Sequence, residues 1–379
     1  MSTYIDIHVI QSVPPSNINR DDTGSPKSAV YGGVRRARVS SQAWKRATRA
    51  RYQAQVDASG IGYRTKQVAE LIGRRMAELE GTMAEEERAA RAGAVLKALG
   101  MKLDPAKKKA EDEAAGLYET GTYLAFFSAE QIDQLAHVAL NNDKPGKREV
   151  REAADTNHGL TVSLFGRMVA DDTSLNVDAA VQVAHALSTH AVDAEADYYT
   201  AVDDVLEADK TREDSGAGMI GTIEFSSSTL YRYATINVDQ LAENLGDAEA
   251  TARACQAFVD GFVTSMPTGK QNTFANGTVP DGVVVLVRED LPVNLVGAFE
   301  RPVDPEGGYV TASCVALARY ADEVAEAYGE PSGPRYVVRV GDRAAALDTL
   351  GERVTLRELG DKVAEAARAE VAVGTADDS

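Results

Sequence analysis

A dense run of cations and hydroxyl groups lies between residues 34 and 49, with the sequence VRRARVSSQAWKRATR. Its pattern predicts a strand over 34–39 that runs directly into a helix, with Ser40 or Ser41 as the N-cap. The first amides of a helix have no intrahelical acceptor, and the helix dipole favours an anion at this end. The block therefore predicts a phosphate site. A solvated basic helix face is the alternative.

Several side chains of this block are expected to converge on the predicted site. Lys45 and Arg49 are four residues apart and share a helix face, with Arg46 beside them. The candidate anion ligands are Arg35, Arg36, Arg38, Ser40, Ser41, Gln42, Lys45, Arg46 and Arg49. Arg20 and Lys27, further upstream, favour a polymeric ligand such as RNA over a phosphorylated metabolite. A metabolite-binding protein remains an alternative.

Two adjacent tyrosines, Tyr198 and Tyr199, fall on a predicted hairpin. Neighbouring strand residues face opposite sides, so one ring is expected to pack while the other is exposed. An exposed ring on a protruding hairpin can stack on nucleotide bases or wedge between them. Ordinary packing within the hairpin is the alternative.

The adjacent carboxylates Asp21 and Asp22 are the one pair that suggests catalysis. Beside Arg20 in a predicted loop, they could hold a divalent ion and cut a phosphodiester, as in a metal-dependent RNA endonuclease. We favour a solvated turn pair, or Asp22 as an Asx-turn acceptor.

Other catalytic motifs lack the context that they need. Residues 216–221, GAGMIG, match a dinucleotide-binding pattern, but an acidic turn precedes them and a strand-like segment follows. Residues 266–272, MPTGKQN, lack the Ser/Thr and the upstream glycine of a phosphate-binding loop. His185 and His190 are five residues apart and are predicted to be structural. We therefore predict no metal, no cofactor and no enzymatic activity.

The charge of the chain is unevenly distributed. The 379 residues carry a net charge of −18, whereas residues 1–51 hold nine Lys/Arg against three Asp/Glu. A basic segment on an acidic body can form a local anion site, while the acidic remainder discourages non-specific binding. No apolar stretch of membrane-spanning length and no secretory signal occurs, so we expect a cytoplasmic protein. Cys255 and Cys314 are expected to be reduced core residues.

The periodicity indicates an α+β fold. Residues 4–13 alternate like a half-buried strand, and residues 14–33 predict a long loop. Residues 65–157 predict several helices, and residues 198–237 predict a long hairpin with a polar tip. Further helices are predicted over 239–265, 312–328 and 356–370, with a central strand within VPDGVVVLVRED.

Several segments together match the pattern of a known family. The match is densest in IDIHVI, PSNINRDD, KSAVYGG and RRARVSSQAWKRATR, all within residues 5–49. It continues through 166–168, 183–204, 221–241, 269–275 and 355–359. The NRDD loop and the RVSSQ-x-x-KR block carry most of its specificity. On these residues the chain resembles the CasC family, the repeated backbone subunit of the type I-E CRISPR surveillance complex, Cascade.

The resemblance implies a hand-shaped subunit. Its palm would be a modified RRM or ferredoxin-like sheet built from residues 1–60 and 159–379. Its fingers would be a helical insertion over 61–158, and its thumb a β-hairpin over about 193–225. The ordinary RRM consensus, K/R-G-F/Y-G/A-F-V-x-F/Y, is absent, so only the topology should match.

The resemblance also implies a set of partners and an activity. Copies would stack head to tail along CRISPR RNA, with each thumb flipping one base out and leaving the others free to pair with target DNA. The partners would be CRISPR RNA, target DNA through the guide, further copies of the chain and other Cascade subunits. The protein would be a non-catalytic RNA-binding subunit. Some relatives in the wider superfamily cleave RNA from a loop aspartate, which keeps Asp21 and Asp22 as an alternative.

Roles for individual residues follow from the same resemblance. The guide backbone would be held by Arg20, Lys27, Ser40, Gln42, Lys45, Arg46 and Arg49. Tyr198 and Tyr199 would lie at the thumb, although the insertion LEADKTREDSGAG lengthens its tip. Met168 would pack against a base, with Arg167 nearby. Further RNA candidates are Lys270 and Gln271, and Lys144, Lys147 and Arg148 would face target DNA.

Overall fold

The structure, a computed structural model, describes residues 2–54, 62–106, 116–155, 158–169, 173–201, 219–304, 306 and 308–377. The strands are β1 Tyr4–Ser16, β2 Ser28–Tyr31, β3 Val34–Val39, β4 Gly62–Thr65, β5 Leu103–Asp104, β6 Thr120–Gly121, β7 Ala125–Ser128, β8 Val181–Val183, β9 Ala186–Ser188, β10 Glu195–Ala201, β11 Met219–Asn237, β12 Gly282–Arg288, β13 Arg335–Arg339 and β14 Glu352–Arg353. The helices are α1 Ser41–Gln53, α2 Val68–Leu79, α3 Glu85–Ala98, α4 Ala129–Asn141, α5 Lys147–Ala154, α6 Gly159–Phe165, α7 Val238–Leu245, α8 Ala248–Thr264, α9 Gln271–Phe274, α10 Tyr309–Tyr328 and α11 Leu356–Asp377. None of the described helices is both long and apolar enough to cross a membrane.

One large mixed sheet forms the centre of the fold, with the strand order β14-β13-β12-β1-β11-β9-β3-β2. β8 and β10 also pair with β11. The paired strands of this sheet are antiparallel, except for the parallel pair β13–β14. β1 lies between β11 and β12, so segments from the start, the middle and the end of the chain meet around the N-terminal strand.

β1 is buried on both faces, which corrects the expectation of a half-buried strand. Ile5 and Ile7 point into one hydrophobic core, as the alternation predicts. Asp6 and His8, on the opposite face, are also fully buried. A polar residue on an alternating strand need not face water when a second layer covers that face, and the local pattern does not reveal this layer.

Asp6 and one ring nitrogen of His8, both buried in β1, bond to neighbours, whereas His8 Nε2 has no hydrogen-bond partner among the described residues. The Asp6 carboxylate accepts hydrogen bonds from Tyr233 Oη and from the Val293 amide, both at 2.8 Å. His8 Nδ1 lies 2.9 Å from Tyr231 Oη. Burial, opposed by these hydrogen bonds, raises the pKa of Asp6 to about 6. Burial lowers the pKa of His8 to about 3.

Two hydrophobic layers enclose the sheet. Helices α1, α8 and α11 cover the face of Ile5, and Phe258 lies at the middle of that layer's aromatic packing. Helix α10 and the 3-10 segment Leu295–Phe299 cover the other face. Cys255 and Cys314 are buried free thiols, one in each layer. Their prediction as core residues is confirmed.

A buried arginine attaches helix α1 to the sheet. Arg232 of β11 has no exposed surface and donates to Gln11 Oε1 at 2.6 Å and to the Phe262 carbonyl. Its guanidinium carbon lies 3.7 Å from the centroid of the Trp44 ring on α1 and 4.5 Å from that of Phe262 on α8. This cation–π stack fixes both helices against β11.

The segment between α1 and β8 has a hydrophobic core of its own. Helices α2 to α5 pack around residues such as Ile72, Leu96 and Leu135. The sequence predicted only helices over 65–157, whereas the structure adds the short pairs β4–β7 and β5–β6. The apolar run AFFS at 125–128 is too short for its periodicity to distinguish a strand from a helix.

The predicted loop over 14–33 is shorter in the structure. β1 extends to Ser16, and β2 forms a hairpin with β3. Gly32 and Gly33 both have positive φ, of 59° and 79°, as a type I′ two-residue turn requires. The irregular loop therefore covers only 17–27. Gly-Gly between two strand-like runs is a hairpin signal that the loop prediction overlooked.

The predicted hairpin is present with different bounds. β10 pairs with the first part of β11, in a register that runs from Glu195↔Phe225 to Ala201↔Met219. β11 then continues beside β1 to Asn237, so one strand joins the hairpin to the centre of the sheet. The predicted tip over 206–218 lies outside the described residues.

Asp6 makes stability depend on pH in a defined direction. Because its folded pKa of about 6 exceeds the ordinary value of 3.8, the folded state holds a proton that the unfolded state releases between these values. The stabilisation by protonated Asp6 is therefore complete below pH 3.8, the pKa in the unfolded state, and it is lost as pH rises through 6. Relative to Asp6→Asn, we expect the wild type to gain about 1.4 kcal/mol of unfolding free energy from pH 7 to pH 5, measured by urea denaturation.

The quantity to compare is the change with pH in the difference between the unfolding free energies of the wild type and Asp6→Asn. The loss of a hydrogen bond in Asp6→Asn is the same at both pH values, so it cancels from this change. Asp322→Asn, at an exposed position of α10, removes a carboxylate without changing a buried group. An Asp6→Asn curve parallel to the wild type between pH 7 and pH 5 would contradict the raised pKa.

Candidate functional site

The predicted strand-to-helix junction is present. β3 ends at Val39, and α1 begins at Ser41. Ser40 is the N-cap, and its Oγ accepts from the Ala43 amide at 3.3 Å. β3 pairs with β2 and β9, which places the junction beside the loop 17–27.

The start of α1 has fewer free amides than the sequence predicted. The Ser41 amide donates to His185 Nδ1 at 3.0 Å, and the Ala43 amide is used by the N-cap. Of the first-turn amides, only that of Gln42 lacks an acceptor in the described part of the chain. His185 therefore has a structural role, as does His190, which stacks on a tyrosine ring at 3.6 Å. Attraction for an anion must come mainly from side chains.

The cationic side chains of the junction lie at the surface or close to it. Arg20, Arg35, Gln42 and Arg46 are exposed, and Lys27, Arg38, Ser41, Lys45 and Arg49 are partly buried. In the described part of the chain, the side chains of Arg35 and Arg38 on β3 donate to Ser28. Arg35 donates to the Ser28 hydroxyl at 3.0 Å, and Arg38 donates to the Ser28 carbonyl at 3.4 Å.

Arg64, which the sequence did not single out, joins this group. It is an exposed residue of β4, and it lines a groove of about 340 Å³ together with Arg49. Burial and then the charge of Arg64 lower the pKa of Lys45. Burial is also the main cause that lowers the pKa of Arg49, with Arg64 and Arg46 adding to it. The pKa shifts therefore indicate mutual repulsion among neighbouring cations.

These cations have no carboxylate partners. The group consists of Arg20, Lys27, Arg35, Arg38, Lys45, Arg46, Arg49 and Arg64. Among the described residues, none of them forms an ion pair. Elsewhere in this acidic chain arginines are paired, as in Arg75 with Asp133 at 2.6 Å and Arg91 with Glu87 at 2.7 Å. The junction is thus a positive surface that lacks its counter-anion.

The loop 17–27 is attached on two sides by asparagines that sequence reasoning missed. Asn17 Nδ2 donates to the carbonyls of Gly24 and Glu224, both at 2.9 Å. Asn19 Oδ1 accepts from the Ser40 amide at 2.8 Å, and the Asn19 carbonyl accepts from the Lys27 amide at 2.9 Å. The loop is therefore bonded to the helix cap and to β11. The asparagine of the NRDD segment is the sequence signal for this attachment, because asparagine side chains commonly bond to the backbone of turns.

Asp21 closes the turn of this loop. Its Oδ1 accepts from the Thr23 amide at 2.9 Å, the Thr23 hydroxyl at 2.7 Å and the Ser25 amide at 3.0 Å. The Thr23 hydroxyl is the largest cause that lowers the Asp21 pKa. Asp22 is exposed beside it. The structure therefore contains the Asx turn, but its acceptor is Asp21 and not Asp22 as predicted.

Lys270 and Gln271 lie close to the same loop. The backbone at Gly269 approaches Ile18 so closely that a Cβ there would come within 2.3 Å of the Ile18 carbonyl. Gly269 lines a groove of about 520 Å³ with residues 18–24. Lys270 has φ of 51°, and Gln271 is exposed. Lys270 and Gln271 follow Gly269 directly in the chain, but they are not among the residues that line the groove.

Arg36 is a correction to the predicted set. It is fully buried, and it donates to the carbonyls of Ser188, Phe299 and Glu300 at 3.1, 2.8 and 3.2 Å. Alternate residues of a strand face opposite sides, so Arg36 points inward where Arg35 points out. It connects β3 to the 3-10 segment and does not face an external anion.

Arg167 is a second correction. Its side chain is buried and donates to the carbonyls of Leu175 at 2.7 Å and Ala154 at 3.0 Å. Burial lowers its pKa to about 10, although Asp155 lies 3.4 Å away. Arg167 therefore joins segments of the fold instead of contacting RNA. The following residue, Met168, is 78% exposed, as an apolar contact residue needs to be.

The thumb tyrosines differ in their surroundings. Tyr198 is 62% exposed. Tyr199 lies across from Gly221 in the β10–β11 register, and a Cβ at Gly221 would come within 2.5 Å of its hydroxyl. The Tyr199 ring therefore lies close to the facing strand, although this residue is still 41% exposed. Tyr198 is the more exposed of the two, so the predicted contrast between a packed and an exposed ring is only partly present.

The three DNA-facing candidates lie at the start of α5. Lys144, Lys147 and Arg148 are exposed. Arg148 lies 3.6 Å from Glu152, one helical turn away. Their proposed contact with DNA stays a prediction.

Comparisons with known proteins agree on one kind of protein. A family model described as CT1975-like protein matches residues 5–362. A solved chain of a "CRISPR RNA-guided surveillance complex, pre-nicking" is similar with a TM-score of 0.83 and 35% identity, covering 96% of this chain and 100% of that one. A chain of a "CRISPR RNA-guided surveillance complex" is similar with a TM-score of 0.73 and 31% identity, covering 96% and 99%. No curated protein sequence matches the chain.

Asn19 is predicted to order the loop 17–27. In Asn19→Ala the Ser40 amide loses its acceptor, which costs on the order of 1 kcal/mol. We expect amide hydrogen exchange at Ser40 and in the loop to become roughly fivefold faster.

Asn19→Asp is the matched control, because the carboxylate retains an oxygen that can accept from the Ser40 amide. Its exchange should stay close to that of the wild type. Equal exchange rates in Asn19→Ala and the wild type would show that the loop does not depend on this bond.

Proposed function

The chain belongs to the CT1975-like protein family, and from this premise we propose that it is a non-catalytic subunit that binds the phosphate backbone of CRISPR RNA. The resemblance to the CasC family is confirmed, and the similar solved chains are components of CRISPR RNA-guided surveillance complexes. We propose that the chain is a component of a type I-E Cascade and that it works in the cytoplasm.

The observation that carries the proposal is the unpaired cationic surface of the β3–α1 junction. Eight Lys and Arg side chains that form no ion pair in the described part of the structure lie on a chain whose net charge is −18. Bringing like charges together without a counter-ion costs free energy, which a bound polyanion would recover. Phosphate contacts are independent of base sequence, so one protein can accept any guide.

The arrangement of the sheet supports an RRM-like palm. The strands β12-β1-β11-β9 are antiparallel neighbours in that order. Helix α1 follows β1 and helix α8 precedes β12, and both pack on the same face. This is the βαββαβ arrangement of a ferredoxin-like fold. We propose residues 1–60 and 159–379 as the palm and 61–158 as the fingers.

The exposed hairpin supports a role in shaping the RNA. We propose that Tyr198 stacks on or between bases at the thumb and that Met168 contacts a base. Bases between thumbs would then be free to pair with target DNA, with the exposed cations of α5 near the duplex. Copies of the chain would stack along the guide beside other subunits.

The central test removes two cations from α1. In Lys45→Ala with Arg49→Ala, two phosphate contacts are lost, so we expect RNA co-purification from cells that express a CRISPR array to disappear. In fluorescence titrations, the slope of log affinity against log salt should become shallower by about 1.4, because each contact contributes about 0.7.

The double variant Arg253→Ala with Arg319→Ala is the matched control. Both arginines are exposed on other helices and pair with Glu249 and Glu323. It loses the same charge, and its RNA binding should stay near that of the wild type. Full RNA binding by the Lys45/Arg49 variant, with thermal denaturation showing a folded protein, would refute the phosphate site.

The proposal of a non-catalytic protein has its own test. The assembled complex, incubated with Mg²⁺ and a labelled RNA complementary to its guide, should leave that RNA intact, because the Asp21 oxygen is used by its own turn. Regular cuts that vanish in Asp22→Ala would establish the endonuclease alternative instead.

A further inference from the structure

A groove runs between the palm helix α1 and strand β4 of the fingers. Gln53 Nε2 of α1 donates to the Gly62 carbonyl of β4 at 3.4 Å, so the two segments are in contact. The groove has a volume of about 340 Å³, and Arg49 and Arg64 are among the residues that line it. The groove thus lies between two parts of the chain that have separate hydrophobic cores. A ligand bound in such a groove can contact both parts.

The geometry directs two guanidinium groups to this groove. Arg64 pairs with Phe126 in the β4–β7 register, and side chains that are paired across strands share a face. The Arg49 guanidinium carbon lies 5.8 Å from the centroid of the Phe126 ring. Arg49 of the palm therefore lies over the Phe126 ring, and Arg64 of the fingers is paired with Phe126 across the two strands. The charge of Arg64 also lowers the pKa of Arg49, so the two guanidinium groups are neighbours.

Among the described residues, the positive charges that line the groove are not balanced by carboxylates. Glu70 is the one carboxylate in this described lining, and it is paired with Arg74 one helical turn away. Arg64 forms no ion pair in the described part of the chain. Gln53 and Gln67 supply neutral hydrogen-bonding groups at its border. The groove thus combines two unpaired guanidinium groups with neutral polar groups, as phosphodiester recognition requires.

We propose that Arg64 is a phosphate-binding residue of the fingers, which holds a phosphate of the guide RNA against Arg49 of the palm. This inference rests on the proposed function. It adds a contact from the fingers to the phosphate site of the palm. The bound phosphate joins palm and fingers, so the strand bridges two parts of the chain that otherwise have separate cores.

Two nucleic acids could supply such a phosphate, the guide RNA and the target DNA strand. Arg64 lies next to α1, whose cations are the proposed guide contacts, so we assign it to the guide. An assay with RNA alone tests this assignment, because no target strand is present.

The experiment titrates the purified full-length protein with a fluorescent single-stranded RNA over a range of salt concentrations. For Arg64→Ala we expect roughly five- to tenfold weaker binding and a salt slope that is shallower by about 0.7, equivalent to one phosphate contact. Arg64→Lys keeps the charge and should keep the slope. Arg51→Ala removes an exposed arginine of α1 that bonds to Thr264 instead of lining the groove, and it should bind like the wild type.

The outcomes separate this inference from the proposed function. If Lys45→Ala with Arg49→Ala loses RNA while Arg64→Ala binds like the wild type, the fingers contact is wrong and the palm site stands. If none of these variants changes RNA affinity, the proposed function itself fails. Weaker binding by Arg64→Ala only when target DNA is added would assign the residue to the target strand and overturn the guide assignment.

Discussion

The buried guanidinium of Arg232 is the interaction on which the position of the candidate site depends. It lies between the rings of Trp44 and Phe262 and donates to Gln11 and to a main-chain carbonyl. Its pKa falls to about 9 because it is buried. Since Trp44 immediately precedes Lys45, the stack also determines where the first α1 cation emerges. A charge without a carboxylate partner is retained inside the protein through π faces and carbonyl oxygens.

Two groups of arginines in the described part of the chain have contrasting chemistry. Arg36, Arg167 and Arg232 are buried, and their guanidinium groups donate mainly to carbonyl and amide oxygens, although Arg232 Nε has no hydrogen-bond partner among the described residues. A planar guanidinium with several donors can connect backbone segments in this way, which a lysine ammonium does less well. In the described part of the chain, the surface cations of the β3–α1 junction form no ion pair and make few hydrogen bonds. This second group is therefore available to an external anion, and we propose that Arg64 belongs to it.

Loop 17–27 connects the elements that would touch RNA. Asn19 bonds it to the cap of α1, while Asn17 bonds it to β11 at Glu224. Glu224 pairs with Ala196 in the hairpin that carries the exposed tyrosine. The cations of the loop, the start of α1 and the base of the thumb are therefore linked by short hydrogen bonds. Such links hold the cations of the junction at a fixed distance from the exposed Tyr198 ring.

The sequence by itself determined the features that depend on neighbours in the chain. The strand-to-helix junction at 34–49, a serine N-cap at Ser40 or Ser41, and the shared face of Lys45 and Arg49 follow from local spacing and capping chemistry. The structure selects Ser40 as the cap. The family resemblance rested on such local blocks. Hydrophobic alternation also placed Ile5 and Ile7 of β1 in the core.

Only the tertiary structure decided which polar groups face solvent and which distant residues meet. Asp6 is buried because α10, some three hundred residues later in the chain, covers the second face of the sheet. Arg36 and Arg167 are internal because carbonyls from remote segments need donors. Arg64 reaches Arg49 through the β4–β7 pairing. Each of these arrangements depends on long-range packing. The periodicity and spacing of residues within one segment do not specify which distant segment packs against it.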